Sequence, residues 1–244
     1  MFIGSGTLIN VLTIVGGASL GVLIGGRMPE RMRLLITDVL GLITILGAAT
    51  TLTPITSDRY INSLPEGWPL LAVLASLLIG GVLGSALNLE LRLEAFGLYL
   101  RRRFKAEGSG TFVEGFLLSS LLFVIGPLAI LGSISDGMGT GTDQLILKSS
   151  LDFFAAMAFA ATLGWGVAAS AIPVGIYQGL WTVAGFALGN ILADYQIDAM
   201  TIVGGLILLS IGLSLLKIKT IAVGNLLPAL ALAPIVAGVL HQFV

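Results

Sequence analysis

Cysteine is absent from the 244 residues. That excludes disulfides and thiolate metal sites, and it leaves the redox compartment unmarked. Histidine occurs once, as His241 at the C-terminal edge, so a histidine-based metal centre has no ligands to draw on. Charge is scarce: 10% of the residues carry it, against about 25% in an ordinary soluble domain. The net charge of −1 provides no basic tail for nucleic acid. No glycine-rich loop ends in Lys-Ser or Lys-Thr, so no built-in ATPase is expected. No Ser/His/Asp constellation exists for hydrolysis. The expectation is a protein that is not an enzyme and needs neither cofactor nor metal.

Apolar residues fill that space. They make up 56% of the chain, and the mean hydropathy is +1.04. A spanning helix needs about 20 such residues in a row. Eight runs qualify: Gly4–Gly26, Leu34–Thr53, Trp68–Asn88, Phe112–Ile134, Ser149–Ser170, Ile172–Leu192, Ala199–Leu216 and Ile221–Leu240. The fold class is therefore an all-α polytopic membrane protein, with residues 1–244 expected as a single transmembrane domain. The 33 glycines favour close helix approach in lipid. The first run lacks a basic flank before it, so no cleaved signal peptide is expected.

Lys and Arg set the orientation. Alternating eight spans puts Arg27, Arg31, Arg33, Arg92, Arg101, Arg102, Arg103, Lys105, Lys217 and Lys219 on one side, and only Arg59 and Lys148 on the other. The ten-to-two split predicts cytoplasmic basic loops and both termini outside. Between the third and fourth spans, Leu89, Leu93, Phe96, Leu100 and Phe104 recur at helical spacing beside three arginines. This reads as an amphipathic helix lying on the membrane surface, or else as a plain basic loop.

Three spans carry glycines four apart in a GxxLG pattern: Gly17–Gly21, Gly80–Gly84 and Gly185–Gly189. Such faces let backbones touch, within the bundle or across a homodimer. The spans after the first and the third of these motifs also echo each other, in Gly41-Leu-Ile-Thr-Ile-Leu-Gly47 and Gly205-Leu-Ile-Leu-Leu-Ser-Ile-Gly212. Because their directions oppose, the echo suggests inverted repeats, an architecture of many secondary transporters.

Polarity gathers between residues 126 and 179. Gly126-Pro127 interrupts the fourth span, where proline removes a donor and frees a carbonyl. Asp136 sits in a Gly/Ser/Asp-rich connector over 133–148. Asp152 has capping-box spacing after Ser149, as Glu114 has after Thr111, and Asp38 lies near the start of the second span. A cap reading predicts that Asp152→Asn costs about 1 kcal/mol. The alternative is a polar vestibule, since an intramembrane charge is costly. Tyr177 and Gln178 then line its deeper part, because a buried Gln in lipid needs partners. Asn10 and Asn225 pose the same choice. The candidate substrate-binding set is Gly126, Pro127, Asp136, Asp152, Tyr177 and Gln178, in a cavity between the fourth, fifth and sixth spans.

Three stretches resemble a known family. They are Gly126-Pro-Leu-Ala-Ile-Leu-Gly132 with Ser133-Ile-Ser-Asp-Gly137; Lys148, Asp152, Phe159-Ala-Ala-Thr-Leu-Gly164, Ser170-Ala-Ile-Pro-Val174 and Tyr177-Gln-Gly179; and Gly212-Leu-Ser-Leu-Leu-Lys217 with Asn225-Leu-Leu-Pro-Ala229. Together they are similar to the YdfK/YqgA-type bacterial inner-membrane proteins, a family of unknown function, with Pro127 a departure from its pattern. The resemblance implies a multi-pass inner-membrane fold but no substrate. The functional expectation is a small-solute or ion transporter without its own ATPase. The competing expectation is a structural or accessory membrane protein. Expected partners are the lipid bilayer, an unidentified small solute or ion and a second copy of the chain, with no nucleic acid.

Overall fold

Each apolar run folds as helix. The computed structural model describes residues 2–26, 29–104, 110–189 and 192–244, without the side chains of Pro127 and Leu188. Arg27 and Lys105, counted among the basic loop residues, lie outside the described residues. In chain order the helices are α1 (Ser5–Gly25), α2 (Glu30–Thr51), α3 (Asp58–Ile61), α4 (Pro69–Ala86), α5 (Leu89–Arg103), α6 (Phe112–Val124), α7 (Pro127–Gly137), α8 (Asp143–Leu163), α9 (Gly166–Ala169), α10 (Ala171–Leu188), α11 (Asp194–Leu215) and α12 (Leu227–Leu240). Among the described residues, seven helices are long and apolar enough to cross a membrane, and the bent pair α6–α7 makes an eighth if it is one span. The helix expected between the third and fourth spans is α5, with Gly97 and Leu100 buried and Leu91 and Tyr99 exposed.

The helices put small residues inside and large apolar ones outside, as lipid requires. On α4 the buried positions are Ala72, Val73, Ser76, Gly80 and Gly84, while Leu70, Leu74, Leu78 and Val82 are exposed. With lipid tails as apolar as leucine, burying leucine gains little, and close backbone contact decides which face turns inward.

Contacts divide the chain into two units. The first comprises Met1–Leu40, Leu93–Val124 and Leu128–Ile191; the second comprises Gly41–Arg92, Ile125–Pro127 and Leu192–Val244. In the first, α1 and α8 run parallel in step, with Gly17, Gly21 and Gly25 against the carbonyls of Phe153, Met157 and Ala161. A Cβ at any of these glycines would enter that backbone. α10 lies antiparallel to α1, with Gly175 against Val11 and Thr182 against Thr7.

The α6–α7 pair bends by 64°. At the break Gly126 has φ +129°, a conformation that favours glycine, and Pro127 opens the next helix, where its missing donor costs nothing. The pair nevertheless reaches from one end of α8 and α1 to the other. α6 begins at the C-terminal end of α8, with Gly115 against Leu163 and Thr111 Oγ1 donating to the Leu163 carbonyl at 3.0 Å. α7 ends at the N-terminus of α1, where Asp136 receives the Gly4 and Gly6 amides. Counted as one span, the pair brings the spans among the described residues to eight, and a parallel first and fifth span is then what alternation requires.

In the second unit, Gly80 and Gly84 of α4 lie antiparallel on Ala229 and Asn225, around the start of α12. Gly41 of α2 meets Leu216, and Gly205 and Gly212 of α11 meet Leu52 and Ile45, again antiparallel. Glu90 and Asn225 cap each other's segments: Asn225 Oδ1 accepts from the Glu90 amide at 3.0 Å, and Glu90 Oε2 accepts from the Gly224 amide at 2.5 Å.

Several expectations need correction. The fifth span is Asp143–Leu163 rather than Ser149–Ser170. Asp152 is therefore mid-helix and is no cap, and Lys148 is inside the span rather than in an outer loop. Asp38 is likewise well inside α2, and it is exposed. The connector shrinks to residues 138–142, because α7 continues through Asp136 to Gly137. The glycine faces expected to carry a homodimer are occupied within the protomer; Gly185 too lies against Ile134, and only Gly189 faces open space.

Candidate functional site

Buried polarity is unevenly placed. Of eighteen buried polar or charged residues among those described, thirteen lie in the first unit. They follow the sequence spacing. Thr7 and Asn10 share a face of α1, and Gln178 and Thr182 share a face of α10, each pair one turn apart. The two threonine hydroxyls meet at 3.2 Å. With Thr7–Thr182 on one side and Val11–Gly175 on the other, Asn10 and Gln178 are bracketed at one depth on facing helices.

Asp152 is the anionic member. Its Oδ2 accepts from Lys148 Nζ at 2.6 Å and from Asn10 Nδ2 at 3.0 Å. The Lys148 and Asp152 side chains are only 7% and 9% exposed. Lys148 Nζ also lies 6.0 Å from the centre of the Phe123 ring, within cation–π range. The pair is neutral as a whole, so Asp152 makes no electronegative entrance.

Asp136 serves differently. It is 2% exposed, and its two oxygens accept the Gly4 and Gly6 amides at 3.2 and 3.0 Å. Gly4 has no side chain with which to cap α1, so a carboxylate from α7 does so at the positive end of the helix dipole. This carboxylate is satisfied.

Other groups are not satisfied. Both polar atoms of Gln178, which is 0% exposed, lack a partner, as do Asn10 Oδ1, Ser5 Oγ and Ser119 Oγ. All of them lie in the first unit. A buried polar atom without a partner costs about 1–3 kcal/mol. The second unit offers a contrast. Arg59 forks onto Asp198 at 2.8 and 2.5 Å and reaches Asp194 at 3.5 Å, a closed arrangement that raises the Arg59 pKa, chiefly through the Asp198 hydrogen bonds. Burial pushes the neighbouring Tyr60 phenol up to about 12, with Asp198 adding to it.

The six candidates from the sequence are thus only partly assembled. Asp152 and Gln178 both approach α1, through Asn10 and its neighbours. Asp136 sits at the α1 terminus. Gly126 and Pro127 form the helix break. Tyr177 is half-buried and stacks edge-on with Trp181 at 6.3 Å; successive helix residues do not face each other, so it leaves Gln178's face. The wall that sequence reasoning missed is α1. Asn10 and Thr7 were visible as polar residues one turn apart in an apolar run, whereas Ser5 and Ser119 give no such signal. Between α1 and α10 an outer cleft of about 480 Å³, bordered by Gly4, Thr7, Gly179 and Thr182, leads from the Asp136 end. Its lining is mostly apolar, and Asp152, Tyr177 and Gln178 do not border it.

Helices of this length and polarity, with small residues inward and polar groups buried between them, define a polytopic α-helical membrane protein. The chain belongs to the family described as "Protein of unknown function (DUF554)", whose pattern matches residues 5–238. It is 31% identical over 239 residues to the "Uncharacterized membrane protein YdfK" of Bacillus subtilis, covering 98% of this chain and 97% of that one. It is 32% identical over 233 residues to the "Uncharacterized protein YqgA" of Escherichia coli, covering 93% and 94%. No solved structure matches it significantly.

Proposed function

We propose that the protein is a small-solute or ion transporter without its own ATPase, working in the bacterial inner membrane. One observation carries this reading: Gln178 is fully buried at membrane depth with neither amide atom bonded, level with the unbonded Asn10 Oδ1. Lipid satisfies no such group, and a fold serving packing alone would gain by replacing it with leucine. A polar solute, an ion with its water, or a proton path supplies the missing partners. Asp152 and Lys148 form the charged flank of this site. The break at Gly126 provides a place for one helix wall to move.

Inverted repeats fit the reading. The first span lies antiparallel to the sixth, the second to the seventh and the third to the eighth, the pairing that an axis in the membrane plane would generate. A homodimer would have to use lipid-facing surfaces, since the glycine faces are taken. The accessory-protein reading is favoured by that same internal use of the glycines.

Flux into liposomes by the purified protein separates the two readings. Gln178→Leu should leave the fold at least as stable, because an unsatisfied polar group becomes apolar, and should abolish uptake. A Gln178→Leu protein that transports at the wild-type rate would overturn the assignment.

A further inference from the structure

Toward the arginine-rich end of the first unit, two clefts lie side by side. One, about 420 Å³, is bordered by Val22, Gly26, Arg33, Thr111, Gly164 and Trp165. The other, about 720 Å³, is bordered by Val11, Val15, Phe104, Phe112, Trp165 and Ile172. They share Trp165 and adjoin along Thr111-Phe112. Both fall within the roughly 300–1,000 Å³ of ordinary ligand sites.

Their chemistries differ. The smaller cleft has a cation, a hydroxyl and backbone at the ends of α1 and α8. The larger is walled by aromatic and aliphatic side chains. Arg33 is half-buried, and one Nη donates to the Gly25 carbonyl at 2.7 Å, yet its Nε is buried without a partner. Among the described residues no carboxylate lies within ion-pair distance of it. A half-buried guanidinium with one neutral partner calls for an anion, and guanidinium matches phosphate in geometry. Phe104, on the apolar wall, directly follows Arg101–Arg103 of α5, which adds positive potential at the mouth.

We propose that the two adjoining clefts hold one anionic phospholipid from the leaflet on the basic side, with its phosphate at Arg33 and an acyl chain along Trp165, Phe112 and Val15. A free phosphate would leave the apolar cleft empty. A zwitterionic lipid would carry an ammonium group against the arginines. Neither Asn10 nor Gln178 borders these clefts, and the proposal stands whether or not the protein transports a solute.

The test uses the full-length protein, purified and delipidated in detergent, with bound lipid counted by native mass spectrometry. Phosphatidylglycerol should be retained at one per protomer, about tenfold more tightly than phosphatidylcholine. Inorganic phosphate at the same concentration should not compete. Arg33→Gln should lower phosphatidylglycerol retention at least fivefold, and Arg33→Lys less than that. Ala168→Phe, which fills the apolar cleft from a half-buried position, should lower it as well while leaving Arg33 in place. Equal retention of the two lipids, unchanged retention in Arg33→Gln or Ala168→Phe, or displacement by inorganic phosphate would each overturn the proposal. Should Arg33→Gln fail to assemble, Ala168→Phe and the lipid comparison still decide it.

Discussion

Removing either member of the Lys148–Asp152 pair should be more damaging than removing both. The two side chains are under 10% exposed and 2.6 Å apart, surrounded by helix and lipid. Taking away one partner leaves the other charge buried and uncompensated, at a cost of about 3–5 kcal/mol. Lys148→Met strands the carboxylate, with only Asn10 left to hydrogen-bond it. Asp152→Asn strands the ammonium but keeps one acceptor, so it should fall near the lower bound of about 3 kcal/mol. This is well above the about 1 kcal/mol of a lost cap. The double variant Lys148→Met with Asp152→Leu replaces the pair by apolar volume and should lose no more than the about 1–3 kcal/mol of leaving the Asn10 amide without its Asp152 acceptor. The coupling energy is then several kcal/mol, against the roughly 0.3–0.5 kcal/mol scatter of independent sites. At about 2–4 °C per kcal/mol for a chain of this size, each single variant should melt at least about 6 °C lower in detergent. Intrinsic tryptophan fluorescence, with monodispersity by size exclusion, reads this directly. Two single variants within about 2 °C of wild type, with an additive double, would mean that water reaches the pair and that the buried-charge reasoning fails. If the pair also flanks a solute path, the stable double variant should not transport.

Asp136→Asn removes a charge from two amides and a helix N-terminus. It should cost about 2–4 kcal/mol, since charge-assisted bonds count for about 1.5–3 each and Asn keeps one acceptor; a melting scan checks it. Gly21→Val should prevent stable assembly, because its Cβ meets the Met157 backbone, whereas Gly47→Val, in open space, should melt within about 2 °C of wild type; expression and size exclusion would tell them apart. Single cysteines at Asp58 and Arg102, both exposed, should react with an impermeant thiol reagent from opposite faces of the membrane, and labelling from one face would break the eight-span count.

Span existence was legible because it depends on composition alone: about 20 apolar residues in a row satisfy the bilayer wherever their neighbours lie. The helix α5 was legible from its period, and the inward faces of α1 and α4 from their glycine spacing. Boundaries were less so. Asp143-Gln-Leu-Ile-Leu-Lys148 reads as a polar connector, and only packing beside α1 made it the first turns of α8. The candidate site divides in the same way. Composition identified Asp152 and Gln178 as polar groups in or beside apolar runs, since that cost is local, and put Asp136 in a polar connector. Their partners are non-local. Asp136 meets amides 132 and 130 residues away, and Asp152 meets an Asn 142 residues away, separations that no helical period encodes. Whether a buried polar group ends up satisfied, like Asp136, or stranded, like Gln178, depends on which helix packs opposite it, and that was decided only by the tertiary structure.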